Sequence, residues 1–205
     1  MPIASLFCTR IYKAHLSPKV RGELNAKLLR ECRQLRLDDP AGRRWSAANY
    51  AGGYTSYASA NRMHAMSPTF AQLERQLSSH VARLVHELSL DMRGRKLGMT
   101  DCWVNIMPRL VAHGSHLHPL STISGTYYVQ TPAGSPGLKF EDPRLPQMMA
   151  SPPRRAGAAA RSQTWVVLPA RAGGFFLCES WLRHEVAANT GRGERISISF
   201  NYSWF

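Results

Sequence analysis

The sequence is short of acidic residues, paired cysteines and long apolar runs, and each shortage excludes something. Asp and Glu number 13 against 26 Lys and Arg, a formal net charge of +13. Four cysteines, Cys8, Cys32, Cys102 and Cys178, are scattered with no CxxC pair. That excludes a zinc ribbon or a disulfide framework and leaves reduced, partly buried thiols. No apolar run approaches the ~20 residues needed to span a bilayer. The opening "MPIASLFCTRIYKAHL" breaks its apolar run at Arg10 and has neither a basic leader nor a cleavage site, so a cytoplasmic location is expected. The surplus positive charge is spread through "RECRQLR", "MRGRK" and "PPRRAGAAARSQ" rather than gathered into one arm. No helix-turn-helix, zinc-finger or RRM pattern accompanies it. It reads as a solvated basic surface, which favours an anionic small-molecule or peptide substrate over nucleic acid or membrane.

What is present is enough for one domain spanning 1–205, with a mean hydropathy of −0.28. Residues 3–12 alternate loosely and predict an edge strand. Ser17-Pro18 opens a helix whose stripe is Val20, Leu24, Leu28, Cys32 and Leu35. Ser67-Pro68 opens another, with Phe70, Leu73, Leu77, Val81, Leu84 and Leu88 on one face. Between them, "RWSAANYAGGYTSYASANRM" reads as a loop with one short strand, bordering a pocket.

The texture changes after about residue 95. From 97 onward, "LGMTDCWVNIMPRLVAHG", "LSTISGTYYVQT", "GLKFED", "TWVVLPA", "GGFFLCE" and "ERISISFNYSWF" are β-branched or aromatic and punctuated by Gly and Pro. Helices followed by strands predict an α+β fold, a sheet sandwich or barrel buttressed by the helices. The Pro/Ala/Arg-rich stretch 143–163 reads as a surface loop.

Within "HGSHLHPLSTISGTYYV" (residues 113–129), His116 and His118 are separated only by Leu117. In extended chain, side chains at i and i+2 share a face, so one ion could bridge both rings. His184, at the start of a strand-like segment, is the best third ligand. His15, His64, His80 and His86 are weaker candidates, and His113, three residues from His116, should face the other way. The last strand alternates Ile196, Ile198, Phe200 and Tyr202 with Arg195, Ser197, Ser199 and Asn201. Its polar face is expected to line a barrel mouth, where Arg195 would be a fixed cation suited to a carboxylate.

Taken in order, the histidine pair, "ISGTYYV", a distal His and then R-x-S resemble the Fe(II)/2-oxoglutarate-dependent oxygenases. The fuller pattern "HLHPLSTISGTYYV", "GLKFEDPR", "GGFFLCESWLRHEVAAN" and "ERISISFNYSW", with "GGYTSY" upstream, is similar to a bacterial and phage group of these proteins. It covers roughly residues 45–205. The resemblance implies a double-stranded β-helix (jelly-roll, cupin-like) core. It implies iron ligation by His116 and His184, and a grip by Arg195 on the distal carboxylate of 2-oxoglutarate. Tyr128 and Ser197 would assist, with Asn105 a further pocket residue. Fe(II) would be the cofactor, and 2-oxoglutarate and O2 the co-substrates. The implied reaction is hydroxylation of an unactivated carbon of a small molecule, amino acid or peptide, with release of succinate and CO2.

Most of that superfamily has Asp where this chain has His118. The similar bacterial group carries HxH, so His118 is read as a ligand. The residues by themselves leave two other readings open. One is a three-His, cupin-like dioxygenase that uses no 2-oxoglutarate, against which Arg195 argues. The other is a non-enzymatic basic β-barrel module that binds nucleic acid or a protein.

Overall fold

The computed structural model describes residues 3–204. Two long helices, α1 (Pro18–Asp38) and α4 (Pro68–Glu87), begin where the Ser-Pro signals place them. The Ser17 hydroxyl accepts from the Val20 N–H, and the Ser67 hydroxyl from the Thr69 and Phe70 N–H groups. Each cap satisfies N–H groups that have no partner inside the helix. The expected stripes are the buried ones: Leu24, Leu28 and Cys32 on α1, and Phe70, Leu73, Leu77, Val81 and Leu84 on α4.

Two helices overlap the ends of the stretch 44–63 read as a loop, α2 (Pro40–Asn49) and α3 (Met63–Met66), with the expected short strand β2 (Tyr54–Thr55) between them. α2 also starts on a cap-plus-proline signal, Asp39-Pro40, but it has no apolar stripe. It buries Gly42 and Ser46, so it packs through small residues where a hydrophobic period gives no signal. The N-terminal edge strand, β1, runs over Ile11–His15, later than the alternation at 3–12 predicts.

The remaining strands are β3 (Leu97–Met107), β4 (His113–His116), β5 (Ile123–Gln130), β6 (Leu138–Glu141), β7 (Trp165–Leu168), β8 (Gly174–Glu179), β9 (His184–Val186) and β10 (Arg195–Trp204). They form two antiparallel sheets. The larger has the order β1-β8-β5-β10-β3-β2, and the smaller β4-β9-β6-β7. This is the α+β, double-stranded β-helix architecture. β1 and β2, from the helical part of the chain, supply both edges of the large sheet. Residues 143–163 hold only two single-turn 3₁₀ segments and are mostly exposed. Among the described residues no helix is long and apolar enough to cross a membrane.

Strand alternation divides the large sheet into two faces. Outward, Val104, Ile106, Ile123, Tyr127, Phe175, Leu177, Ile196, Ile198 and Phe200 join the α1 and α4 stripes in one core. Inward, Tyr128, Phe176, Cys178 and Met107 form a second, smaller core with Leu138, Phe140 and Val186 of the other sheet and Leu182 of the turn before β9. Gly125 on β5 is needed for the outer packing, because a Cβ there would meet Phe200, Leu177 and the Phe176 carbonyl. The period of two that buries the outward face turns Asn105, Ser197 and Arg195 into the space between the sheets.

Candidate metal centre and its cavity

β4 and β9 pair so that His116 lies directly opposite His184. His118 lies just beyond β4, where Ser180 holds it: the His118 N–H donates to the Ser180 carbonyl at 3.0 Å. Ser180 is fixed in turn through its hydroxyl, 2.7 Å from that of Ser124, which donates to Asn201 at 2.8 Å. This buried polar chain keeps the backbone extended past the strand end. The three rings converge, with one nitrogen from each of His116, His118 and His184 lying within 4.8 Å of the others.

The tautomers follow from the hydrogen bonds. Nδ1 of His116 lies 2.7 Å from the Gly114 carbonyl, and Nδ1 of His184 lies 2.9 Å from the Leu182 carbonyl. A carbonyl only accepts, so both Nδ1 atoms carry the proton and both Nε2 lone pairs are available. Such backbone anchoring is the usual support for a metal-binding imidazole. Nε2 of His118 is 3.3 Å from Nε2 of His184. Two nitrogens at right angles about one ion, each ~2.1 Å from it, would stand about 3 Å apart. Burial is the main reason all three rings resist protonation, assisted by neighbouring positive charge. It lowers His118 to about 3 and His184 to about 4, and lowers His116 as well. Neutral imidazoles in this arrangement suit a borderline transition metal such as iron.

His113 does not face away. Between His113 and His116 the register of β4 slips against β9, a bulge that adds one residue and reverses the expected parity. The His113 ring stacks on His116 at 4.4 Å and 15°, and lies 5.2 Å from the Tyr50 ring. The parity that sets His113 apart from His116 fails because the bulge has no sequence signal, and Tyr50 has none because α2 lacks an apolar period. His80 is remote from this group; its Nδ1 pairs with the Tyr12 hydroxyl at 2.8 Å.

Arg195, Ser197, Ser199 and Asn105 line the same inner cavity as the three histidines. Arg195 is 2% exposed. Its guanidinium donates over 3.3–3.4 Å to the Pro136 carbonyl, the Ser197 hydroxyl and the Met107 sulfur, with no carboxylate partner among the described residues. A buried cation held only by long neutral contacts is costly and calls for an anion. Tyr128 sits behind Arg195 rather than on the cavity wall: the guanidinium lies over its ring at 5.0 Å. Burial pushes the Tyr128 hydroxyl up to about 12, against the pull of Arg195, and that hydroxyl has no well-formed hydrogen bond. Asn105 donates to Ser199 at 3.0 Å, leaving its carbonyl oxygen without a partner. A three-imidazole end, an anion-seeking end and unused polar atoms between them fit a metal ion with a carboxylate ligand.

A wider cavity of about 600 Å³ opens outward from His113, His116 and His118 and is bordered by α2, β2 and Trp103. The pocket border expected of "GGYTSY" is there: Thr55 and Tyr57 line it.

A β-helix with three converging imidazoles at its mouth and a buried guanidinium without a carboxylate partner inside has the donor set a non-haem metal oxygenase would use. Residues 101–201 match the family model described as "Putative 2OG-Fe(II) oxygenase". That segment is a domain of the 2OG-Fe(II) oxygenase type, the type of oxidoreductase that works with Fe(II), 2-oxoglutarate and O2. No curated protein matches it by sequence. Among solved structures, it is similar to a Pseudomonas putida prolyl-4-hydroxylase at 14% identity and TM-score 0.60, covering 96% of this chain and 94% of that one. It is also similar to the carbocyclase SnoK from nogalamycin biosynthesis, at 14% identity, TM-score 0.65, and 95% and 79% coverage. The epimerase SnoN, solved with Fe3+, alpha ketoglutarate and nogalamycin RO, matches at 18% identity, TM-score 0.61, and 93% and 78% coverage. At such identities the likeness speaks for the fold.

Proposed function

We propose that His116, His118 and His184 hold iron(II) at the mouth of the β-helix and that Arg195 binds the distal carboxylate of 2-oxoglutarate. On this reading the protein hydroxylates an unactivated carbon of a small molecule, amino acid or peptide that enters through the wider cavity. When bound, the metal and keto acid supply O2 activation coupled to release of succinate and CO2. The chain's own residues orient and shield that chemistry. Nδ1–H bonds to the Gly114 and Leu182 carbonyls would leave Nε2 of both imidazoles free to hold the ion. Arg195 and Ser197 fix one end of the keto acid, while Tyr128 packs beneath the guanidinium. Asn105 offers an unpaired carbonyl oxygen to the cavity.

The observation that carries this reading is the buried Arg195 guanidinium, without a carboxylate partner, in the same cavity as the three histidines. An aqueous surface arginine would need no ligand; this one does. The experiment is an anaerobic titration of the iron(II)-loaded protein with 2-oxoglutarate, followed by its charge-transfer absorption, alongside an assay for succinate. The band should form in wild type. In Arg195→Met the 2-oxoglutarate affinity should fall by about 100-fold or more, with iron affinity little changed. In His118→Asp the band should persist and iron should bind more tightly, because a carboxylate returns one negative charge to the ligand set. Wild-type protein that binds iron but shows no band and releases no succinate would remove the 2-oxoglutarate assignment.

The all-histidine ligand set also favours a second reading, a three-His dioxygenase independent of 2-oxoglutarate. It predicts metal-dependent turnover indifferent to both 2-oxoglutarate and Arg195→Met.

A further inference from the structure

The 600 Å³ cavity is a size that encloses a small organic molecule. Its wall carries a train of rings leading in from solvent. Trp45, 36% exposed, and Tyr57, 48% exposed, stand at the rim with centroids 6.3 Å apart. Tyr57 meets the buried Trp103 edge-on at 5.2 Å, and Trp103 lies 5.7 Å from His118. Leu117 and Leu110 add exposed apolar surface to the same wall. Polar groups are few and uncharged, chiefly Asn49, Thr55 and Asn201.

Charge is the deciding feature. The chain carries a formal +13, yet among the described residues no Asp, Glu, Lys or Arg lines this cavity. An anion drawn toward the basic surface would lose water on entry and find no side-chain cation on the wall to pair with. A cation would have to approach against the long-range positive field. Nor does the mouth suit an extended peptide. Recognition by strand addition needs a length of exposed sheet edge, and the edge strands at the opening are short: β2 has two residues and β4 four.

We infer that the substrate presents an uncharged, flat, apolar ring system to the Trp45–Tyr57–Trp103 wall, with Asn49 reading a neutral polar substituent. This rests on the proposed role of the histidines as the metal end of the site, since it takes the cavity beside them to be the substrate's. Stacked and edge-to-face ring contacts supply affinity without requiring a counter-charge.

The test uses the full-length, metal-free protein and calorimetric titration with four probes. Three share a naphthalene ring: neutral 2-naphthol, anionic naphthalene-2-sulfonate and cationic trimethyl(2-naphthyl)ammonium. The fourth is an uncharged, doubly capped Gly-Pro-Gly peptide. The expected result is that naphthol binds at least about tenfold tighter than each of the others, and that Tyr57→Ala and Trp45→Ala each weaken it by about fivefold or more. Both side chains are part-exposed at the rim, and an unchanged thermal midpoint verifies that each variant is folded. Equal or tighter binding of a charged probe or of the peptide overturns the inference. So does naphthol binding that ignores both substitutions, and so does absence of binding by every probe. The titration needs neither iron nor 2-oxoglutarate, so its outcome and that of the anaerobic titration fail separately.

Discussion

Arg195 is the residue at which stability and function are set against each other. Its guanidinium is buried over the Tyr128 ring, and its three hydrogen bonds are long and go to a carbonyl, a hydroxyl and a thioether. In the ligand-free protein it pays a desolvation cost that no counter-charge offsets. Substituting an apolar residue of similar length should therefore relieve the fold while removing the anion site. Arg195→Met is expected to stabilise the ligand-free protein by about 1–3 kcal/mol in urea denaturation at neutral pH. The same variant should lose 2-oxoglutarate binding. A variant clearly less stable than wild type would mean that the guanidinium is a structural strut, and the argument for a missing anion would weaken. The position was legible in the sequence because strand alternation made Arg195 the one cation on an inward polar face. His113 was not, since its orientation depends on a bulge in β4 that nothing in "HGSH" announces.

α2 shows why an element can be functional and still nearly silent in the sequence. It carries Trp45 and Asn49, with Tyr50 as its C-cap, to the cavity wall, but it is anchored by its first turn rather than by an apolar stripe. Asp39 caps it: one carboxylate oxygen accepts from the Gly42 N–H at 2.8 Å, and the other from the Tyr54 hydroxyl at 2.9 Å and the Ser59 hydroxyl at 2.5 Å. α1, α2 and β2 are thus tied at one carboxylate. The two long helices and the strand sequence were readable because periods of 3.6 and 2 report large buried faces. A helix that buries Gly42 and Ser46 has no such period, and only Asp39-Pro40 marked it.

Partial burial would raise the pKa of Asp39, but the bonds from Ser59, Gly42 and Tyr54 and the charge of Arg43 outweigh it and hold it below the usual value of 3.8. Its folded pKa is depressed, so its contribution is present above the ordinary value and disappears as pH falls through the lower one. Asn caps a helix as well as Asp, but Asp39→Asn loses the carboxylate that accepts from Ser59 and Tyr54 and should cost about 1 kcal/mol at pH 7. The gap to wild type should close as denaturation is repeated at acid pH down to and below that range. Gly42→Ala should be worse than its helix propensity suggests, because the new Cβ would fall on the Asp39 carboxylate. A loss of 1–3 kcal/mol is the typical scale for such overpacking, roughly, together with weaker binding of the neutral ring probe. Neutral behaviour of both variants would show that α2 is held by something other than this cap.

At the scale of the whole molecule, the proposed ligands act as a fastener between sheets. His116 and His184 belong to the small sheet, through β4 and β9, whereas Arg195 belongs to the large one, through β10. Apart from the inner apolar core, a metal with 2-oxoglutarate attached would be a connection that runs from one sheet to the other. Binding to the native state alone stabilises it by mass action, about 2.7 kcal/mol at a concentration 100 times Kd. In a domain of this size 1 kcal/mol moves Tm by roughly 2–4 °C. Metal at that excess should then raise Tm by about 5–10 °C, read by differential scanning calorimetry with Ni(II) as an air-stable stand-in. Adding 2-oxoglutarate should bring a further rise only when metal is present, because the keto acid spans both ends of the site. Arg195→Met should keep the metal increment and lose the second one. His116→Ala or His184→Ala should lose both, since without the ion the keto acid has only one anchor. An equal 2-oxoglutarate increment in wild type and Arg195→Met, or one that needs no metal, would show that the keto acid does not bridge the sheets.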